Sequence, residues 1–450
     1  MPNLIKISKK INNFDKIISV SGDKSLSIRW VLFSSIAKGE SKAFNLLLSE
    51  DVLAAINAIK KLGINVKLNQ KYCSIFGNGT NGYKYKKNII INAKNSGTLG
   101  RLIMGILIDT PYKIKIIGDK SLSKRDFYRI AEPLNKFGAT IKLTKKGLPL
   151  TIEGTKNLYP IKYLEKKGSA QCKSSVIFAG LKTEGKTIIK AKKSRNHTEL
   201  LCKHLNLPIK VKENKNYDLI EVEKAKKIKP LNYKIPSDIS SASFFIVLTA
   251  LSNNSKLLIK DVIINPSRIG IITILKKMGV NIIFKNKKKY KGELIADIFV
   301  TSSKKLKSIN CPSKLNSQAI DEFLVIFLVA AKAKGVSYFK DIGELNKKES
   351  PRLKWGSKIL NKMGIKTTTN NTSIKIIGNP NLEINKKIVI KDYLKDHRIF
   401  MTSVIAALTL GGSWEIHDQD SVKTSFPTFL NKIKNLTNYS FKSSKNHHKI

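Results

Sequence analysis

Cysteine is scarce in this sequence, and its spacing argues against two common ways of stabilising a fold. The four cysteines are Cys73, Cys172, Cys202 and Cys311, with no Cys-x-x-Cys pair and no neighbouring set of histidines. A structural zinc site needs ligands at short regular spacings, and a disulfide framework needs many cysteines in a short chain. The sequence therefore predicts reduced thiols and no metal site.

Long apolar runs are also missing. The longest, at residues 323–331 and 404–410, fall well short of the roughly 20 residues that span a bilayer. The N-terminus has no cleavable signal pattern, because Lys9 and Lys10 are followed by polar Asn12 and Asn13 instead of an apolar core. We therefore expect a soluble cytoplasmic protein that does not bind membranes.

Acidic residues are few: 32 Asp and Glu against 83 Lys and Arg give a formal net charge of +51. Such a charge suits a nucleic-acid-binding protein, which remains an alternative. The lysines are spread through every segment, however, without interleaved aromatic residues or a known nucleic-acid module. A composition biased towards lysine explains this better, and the resulting field would speed the capture of small anionic substrates.

A repeat organises the 450 residues, which are too many for one ordinary core. A helix end, a turn glycine and an alternating strand recur at residues 60–66, 135–141, 276–280 and 361–365. A copy at 203–207 has Asn206 in place of the glycine, and a degraded copy lies near 433–436. Glycine and asparagine both tolerate the left-handed conformation that ends a helix. The period of roughly 70 to 85 residues predicts six units, each with two helices and several strands.

Polar clusters precede the six apolar helices of this repeat. Helix capping explains many of their Ser, Asp, Asn and Thr residues, but it does not explain Lys24, Gln171, Glu322 or Arg398. Helix N-termini that point to one place would form an anion site for phosphates and carboxylates. The clusters are residues 22–25, 95–98, 168–171, 237–241, 318–322 and 396–398.

Taken in order, these clusters and the loops between them resemble the 5-enolpyruvylshikimate-3-phosphate (EPSP) synthase family. The matching segments are residues 22–29, 95–98 with Arg101, 122–125, 168–174, 194–199, 236–242, 320–322, 348–353, 396–398 and 424–427. The resemblance implies an α/β fold of two similar domains, each with three βαβαββ units around a pseudo-threefold axis. It places residues 23–235 in one domain and 1–22 with 236–438 in the other. Residues 439–450 are polar and lysine-rich, which predicts a disordered tail.

The family resemblance implies transfer of the enolpyruvyl group of phosphoenolpyruvate to the 5-hydroxyl of shikimate 3-phosphate. It requires no metal or organic cofactor, and we expect a monomer. The implied catalytic residues are Asp321, Glu349 and Lys24. Shikimate 3-phosphate would be bound by Lys24, Ser25, Arg29, Ser169, Gln171, Asp321 and Lys348. Phosphoenolpyruvate would be bound by Lys24, Gly97, Arg125, Gln171, Arg352 and Arg398.

Several residues depart from the family pattern. Asp23 stands where the family usually has serine, Asp126 replaces a common proline, and Pro351 replaces a common aspartate. Thr424 occupies the place of a lysine in some members, which resembles the second class of the family. Gly97 is the small residue associated with sensitivity to glyphosate.

Two further alternatives stay open within enzymes. The sister enolpyruvyl transferase acts on UDP-N-acetylglucosamine and uses a loop cysteine, whereas Cys73 lies in a strand-like run and is expected in the core. An inactive member of the family is the other alternative, and the intact set of motif residues argues against it.

Overall fold

The computed structural model describes residues 3–443 and divides into two compact units. The central unit comprises Gly22–Pro236 and Lys289–Glu293. The terminal unit comprises the described residues up to Ser21, Ser237–Lys288, and the described residues from Leu294 onward. The boundaries expected from the sequence, 22/23 and 235/236, lie beside these, but residues 289–293 were not expected in the central unit.

The central unit contains three four-stranded sheets that share one strand order, a parallel pair followed by two antiparallel pairings. In spatial order the first sheet is β14 (Tyr233–Lys234), β3 (Lys38–Phe44), β5 (Tyr72–Asn78) and β4 (Asn65–Leu68). The second is β6 (Ile90–Asn92), β7 (Ile114–Ile117), β9 (Gly147–Glu153) and β8 (Thr140–Thr144). The third is β10 (Lys162–Glu165), β11 (Thr187–Lys192), β13 (Tyr217–Val222) and β12 (Ile209–Glu213).

The terminal unit repeats this order. One sheet is β2 (Asp15–Ile18), β15 (Lys256–Ile263), β17 (Glu293–Thr301) and β16 (Ile282–Tyr290). Another is β21 (Ile384–Ile390), β22 (Gly411–Ile416), β1 (Ile5–Ile7) and β23 (Lys442–Ser443). The last is β18 (Val336–Phe339), β20 (Ile374–Ile377) and β19 (Thr367–Thr369), and its first strand is reduced to parallel bridges from Lys307 to Lys334 and from Asn310 to Tyr338.

The segment expected to be a disordered tail, residues 439–450, is partly ordered. Ser443 and Lys442 pair with Ile5 and Lys6 of β1. This short strand is the edge strand of its sheet and pairs with the side of β1 that faces away from β22. The rest of the segment, 444–450, lies outside the described residues.

The six apolar helices expected from the sequence are almost completely buried, because a helix that is apolar on every side has no face for solvent. They are α1 (Lys24–Ile36), α3 (Gly97–Ile106) and α6 (Ala170–Gly180) in the central unit, and α8 (Ile239–Leu251), α11 (Phe323–Lys332) and α13 (His397–Leu410) in the terminal unit. The other helices are α2 (Glu50–Lys61), α4 (Lys120–Ser123), α5 (Tyr128–Lys136), α7 (His197–His204), α9 (Gly270–Lys277), α10 (Asn316–Ala319), α12 (Arg352–Lys362) and α14 (Phe429–Thr437). Short 3₁₀ turns lie at Ser313–Leu315, Gly343–Lys347 and Gln419–Thr424.

These helices pack closely within each unit. In the terminal unit, α8, α11 and α13 all contact one another. In the central unit, α3 packs against α1 and α6. A Cβ at Gly105 would lie 2.0 Å from the carbonyl oxygen of Ser175, so the contact between α3 and α6 requires glycine. The expected fold, two similar units of three βαβαββ units each, is confirmed.

The residue that ends the second helix of each βαβαββ repeat has a left-handed backbone conformation, as the sequence repeat predicted. The φ values are +83° at Gly63 and +54° at Asn206, and the three other predicted glycines also have positive φ. The sixth copy, which the sequence places near 433–436, ends at Asn438 with a φ of +55°. Its asparagine carries the same signal as Asn206.

The first strands of two βαβαββ units are exchanged along the chain. β2 directly precedes α1, yet it pairs with β15 of the terminal unit. β14 directly precedes α8, yet it pairs with β3 of the central unit. Each unit is therefore built from separate stretches of sequence.

Candidate active site

The N-terminus of α1 carries the first predicted substrate motif of the central unit. The carboxylate of Asp23 caps the helix, with Oδ1 accepting a hydrogen bond of 2.8 Å from the Leu26 amide. Ser25 is half-buried in the first turn, and the Lys24 ammonium lies 3.1 Å from Asp51 Oδ2. The departure at Asp23 thus supplies a helix cap, a role that serine also fills.

Arg29 is buried in a hydrogen-bond network one turn further along α1. Its Nε donates to Thr198 Oγ1 at 2.8 Å, Nη2 to Ser174 Oγ at 3.1 Å, and Nη1 to the Ser25 carbonyl at 3.0 Å. Burial lowers the pKa of Arg29 to about 10, although the charge of Glu199 opposes the shift. The guanidinium stays cationic at neutral pH, and its contact with shikimate 3-phosphate remains a prediction.

The N-terminus of α6 is held by a buried carboxylate. Ser169 caps the helix by accepting from the Cys172 amide at 3.3 Å, and its own amide donates to Glu165 Oε2 at 2.9 Å. The other oxygen of Glu165 lies 3.6 Å from Arg129 Nη2. This arrangement fixes the loop that leads into Gln171.

Three residues predicted to bind phosphoenolpyruvate meet at the N-terminus of α3. A Cβ added to Gly97 would lie 3.2 Å from Arg125 Nη1 and 3.3 Å from Arg101 Nη1. Arg101 Nη1 donates to Gln171 Oε1 at 2.6 Å, and Gln171 Nε2 donates to Thr98 Oγ1 at 3.0 Å. Two guanidinium groups beside the positive end of a helix make this a strongly anion-attracting place.

Asp126, another departure, shapes the same cluster through its backbone. Its carbonyl accepts from Arg101 Nη2 at 3.3 Å, and its carboxylate accepts from the Arg129 amide at 3.4 Å. Arg125 Nη2 donates to Asn95 Oδ1 at 3.3 Å. A proline at position 126 would keep the carbonyl, so this contact does not depend on the departure.

Arg352 is the centre of a second cluster, in the terminal unit. It is 2% exposed and donates two hydrogen bonds to Asp396, from Nε to Oδ2 at 2.8 Å and from Nη2 to Oδ1 at 3.2 Å. Nη2 also donates to Glu349, and Ser350 Oγ donates to Asp396 Oδ2 at 2.8 Å. Burial alone would lower the pKa of Arg352, but the charges of Asp396 and Glu349 outweigh it and raise the pKa above its ordinary value.

Asp321 lies in the same cluster. Its Oδ1 is 3.2 Å from the Lys348 ammonium and 3.6 Å from Arg352 Nη1. Its carbonyl accepts from Arg398 Nη1 at 2.7 Å. The terminal unit therefore brings together all five residues predicted on its chain segments, since Glu349 binds Arg352 as well.

Further buried polar side chains contact the cluster around Arg352 and Arg398. Glu322 is 1% exposed, accepts from Ser240 Oγ and lies 3.9 Å from Arg398 Nη1. Ser240 Oγ in turn accepts from Arg268 Nη2 at 2.9 Å, and the same nitrogen lies 3.4 Å from Asp238 Oδ1. Asp238 and Ser240 at the start of α8 therefore contact Arg268, and Glu322 before α11 contacts Arg398.

Comparison with known proteins is decisive at this point: the family model described as EPSP synthase (3-phosphoshikimate 1-carboxyvinyltransferase) matches residues 8–433. The chain belongs to the EPSP synthase family. A 3-phosphoshikimate 1-carboxyvinyltransferase from Ruthia magnifica is 39% identical over 94% of this chain and 96% of its own length. One from Caldicellulosiruptor bescii is 38% identical over the same shares of the two chains.

Solved structures agree with this membership. An EPSP synthase from Acinetobacter baumannii superimposes with a TM-score of 0.87 at 35% identity, covering 98% of this chain and 100% of that one. The enolpyruvyl transferase NikO from Streptomyces tendae gives a TM-score of 0.75 at 13% identity, over 98% of this chain and 99% of that one. The second likeness shows the shared fold alone.

Membership in the EPSP synthase family leaves two structural roles that sequence reasoning did not assign. Asp396 was seen only as part of a motif, although it accepts two hydrogen bonds from Arg352. Arg101 was seen only beside the phosphoenolpyruvate motif, although it binds Gln171. A signal existed for both, because arginine is rare among the basic residues of this chain and a buried arginine needs a partner.

Neither a membrane-spanning helix nor a cluster of metal ligands is found among the described residues. Over residues 3–443, no helix has the length and apolarity needed to cross a bilayer. Within the same range, no three His, Cys, Asp or Glu side chains lie together in a way that could hold a metal ion.

Proposed function

We propose that this chain is a 3-phosphoshikimate 1-carboxyvinyltransferase, which transfers the enolpyruvyl group of phosphoenolpyruvate to the 5-hydroxyl of shikimate 3-phosphate. Family membership supports this assignment. The observation that carries it is the cluster in which Arg352 holds Glu349 and Asp396, with Asp321 and Arg398 beside it. This cluster combines arginines for an anionic substrate with carboxylates that can move protons.

The reaction needs proton transfer at two atoms. The 5-hydroxyl attacks the central carbon of phosphoenolpyruvate and loses its proton, while the methylene carbon gains one. The methyl proton is then removed as phosphate leaves. Asp321 is proposed to accept the hydroxyl proton, because the cations of Lys348 and Arg352 beside it stabilise a carboxylate in its charged form. Glu349 is proposed to exchange the proton at the methylene carbon.

Cationic groups would bind the substrates and neutralise the leaving phosphate. Arginine suits a carboxylate or phosphate because its planar fork donates two bonds at once. Lys24 is proposed to contact both substrates and to stabilise the departing phosphate with its compact charge. Shikimate 3-phosphate is proposed to contact Lys24, Ser25, Arg29, Ser169, Gln171, Asp321 and Lys348. Phosphoenolpyruvate is proposed to contact Lys24, Gly97, Arg125, Gln171, Arg352 and Arg398.

The test is phosphate release from phosphoenolpyruvate by the purified chain, with shikimate 3-phosphate or UDP-N-acetylglucosamine as the acceptor. Release should depend on shikimate 3-phosphate and fall about 10²- to 10⁴-fold in Asp321→Asn, the range for loss of a general base. Release with the nucleotide sugar alone would refute the assignment, and release with neither acceptor would favour an inactive member.

Glu349→Gln has a matched control five residues earlier in the chain. Glu344 also pairs with a cation three residues further along, Lys347, but its side chain is 67% exposed. Glu349→Gln should lower kcat by about 10²-fold or more, whereas Glu344→Gln should leave it unchanged. Equal effects would mean that the two carboxylates act only through local charge.

The sister transferase acting on UDP-N-acetylglucosamine is disfavoured by Cys73. This thiol is fully buried in β5, as the sequence predicted, and burial raises its pKa to about 12. Cys73 is therefore poorly suited to the role of the reactive loop cysteine that the sister transferase uses. The monomeric state and the cytoplasmic location remain predictions from the sequence.

A further inference from the structure

We propose that Arg101 is a positioning residue, whose guanidinium fixes which end of the Gln171 carboxamide faces an anionic substrate. This inference deepens the proposed function and rests on it, because Gln171 is proposed to contact both substrates. Arg101 itself was given no role by the sequence.

The guanidinium of Arg101 is held on three sides within the central unit. Nη1 donates to Gln171 Oε1 at 2.6 Å, and Nη2 donates to the carbonyl of Asp126 at 3.3 Å. The plane lies over the ring of Phe127, with 5.2 Å between the guanidinium carbon and the ring centroid. Arg101 is thus anchored by groups that do not depend on a substrate.

The chemistry of the pair decides the orientation of the amide. A guanidinium has only donors, so the atom of Gln171 that faces it must be the carbonyl oxygen. The amide nitrogen then points the other way and donates to Thr98 Oγ1 at 3.0 Å. Its second N–H has no hydrogen-bond partner among residues 3–443 and can be offered to an anion.

The opposite orientation would be unfavourable twice. It would place the amide N–H groups against the donors of Arg101, and it would turn an oxygen towards an anionic ligand. Burial lowers the pKa of Arg101 to about 10, and the positive charges of Arg125 and Arg129 contribute to the shift. At neutral pH the group remains cationic, so the hydrogen bond to Gln171 is charge-assisted.

A double-mutant cycle tests the coupling. Arg101→Met should raise KM for shikimate 3-phosphate or phosphoenolpyruvate at least tenfold, with a smaller change in kcat, because the free amide can rotate. In a Gln171→Ala background, the same substitution should raise KM less than twofold. Equal increases in the two backgrounds would mean that Arg101 contacts substrate directly and would overturn the proposal, as would an unchanged KM in the single variant.

Arg101→Lys guards against a folding defect. A lysine can still donate to Gln171 Oε1, so it should recover most of the KM change. A residue that acts only on stability would lower Tm in both variants and leave KM alone, which would also overturn the proposal.

A readout without catalysis separates this inference from the proposed function. The chain has four glutamines, so the side-chain amides of ¹⁵N-glutamine-labelled protein are few enough to assign with Gln171→Ala. Arg101→Met should shift the Gln171 amide signals and speed their exchange with water. Unchanged signals would overturn the positioning role, whereas absent phosphate release in the parent protein would count only against the proposed function.

Discussion

Asp396→Asn is the most informative perturbation of the terminal cluster, because it changes one charge and almost no volume. Asp396 accepts four hydrogen bonds, from Arg352 Nε, Arg352 Nη2, Ser350 Oγ and the Arg398 amide. Asparagine keeps one oxygen, which can still cap α13, since Asn is as good an N-cap as Asp. Its amide nitrogen would then replace Oδ2 and face the donors Arg352 Nε and Ser350 Oγ.

The magnitude follows from what remains around Arg352. Removing one partner of a buried ion pair costs about 3–5 kcal/mol when the other charge is left uncompensated. Here Glu349 and Asp321 still lie beside the guanidinium, so the loss should be nearer to the one or two charge-assisted hydrogen bonds broken, at about 1.5–3 kcal/mol each. We expect about 2–4 kcal/mol, or a fall in Tm of about 5–15 °C for a unit of this size.

Thermal and urea unfolding followed by tryptophan fluorescence can measure this loss, because Trp355 and Trp414 lie in the terminal unit with Asp396, and Trp30 lies in the central unit with the control residue Asp119. Asp119→Asn is the control, since Asp119 also caps a helix through its carboxylate, and it should cost less than about 1 kcal/mol. A loss as small for Asp396→Asn would refute the argument that its charge stabilises Arg352.

Four further outcomes are expected. In the folded chain, burial acts to raise the pKa of Asp396, but the charge of Arg352 outweighs burial and lowers the pKa below its ordinary value. The stability that Asp396 contributes is therefore complete above the unfolded pKa of about 3.9 and is lost as the pH falls through the folded pKa. The difference in Tm between the parent protein and Asp396→Asn should accordingly become smaller in acid. Alkylation of the native protein at pH 7.5 should spare activity, because Cys73 is buried with a pKa raised to about 12; rapid inactivation would contradict this. Glyphosate should inhibit, because Gly97 leaves the space beside Arg125 open, and full activity in millimolar inhibitor at saturating shikimate 3-phosphate would contradict it. Binding to duplex DNA should vanish at physiological salt, and persistence would favour the nucleic-acid alternative.

Local signals in the sequence predicted the six repeating units, and the family resemblance supplied their βαβαββ arrangement in two domains. The left-handed turns at Gly63 and Asn206 and the apolar helices between them depend on the residues that form them, so the repeat could be found without tertiary information. The strand at Lys442 and Ser443 was not predicted, because its pairing depends on β1 at the other end of the chain.

The site divides in the same way. The family resemblance implied a shared role for Asp321, Glu349, Arg352 and Arg398, and these residues do lie together in the terminal unit. Which atoms pair could not be predicted, because Arg352 lies three residues from Glu349 but 44 from Asp396, its main partner. Arg29 illustrates the same limit, since its partners Ser174 and Thr198 lie far along the chain.

The separation of the N-terminal strands from their partners has a consequence for synthesis on the ribosome. Ile5 of β1 pairs with Ile416, more than 400 residues later, so at 5–20 residues per second the strand must wait about 20–80 s for its neighbour. During that time Ile5 and Ile7 have no partner strand from their own chain. Lys6 lies between Ile5 and Ile7, and a charge at such a position discourages edge-to-edge association of an unpaired strand.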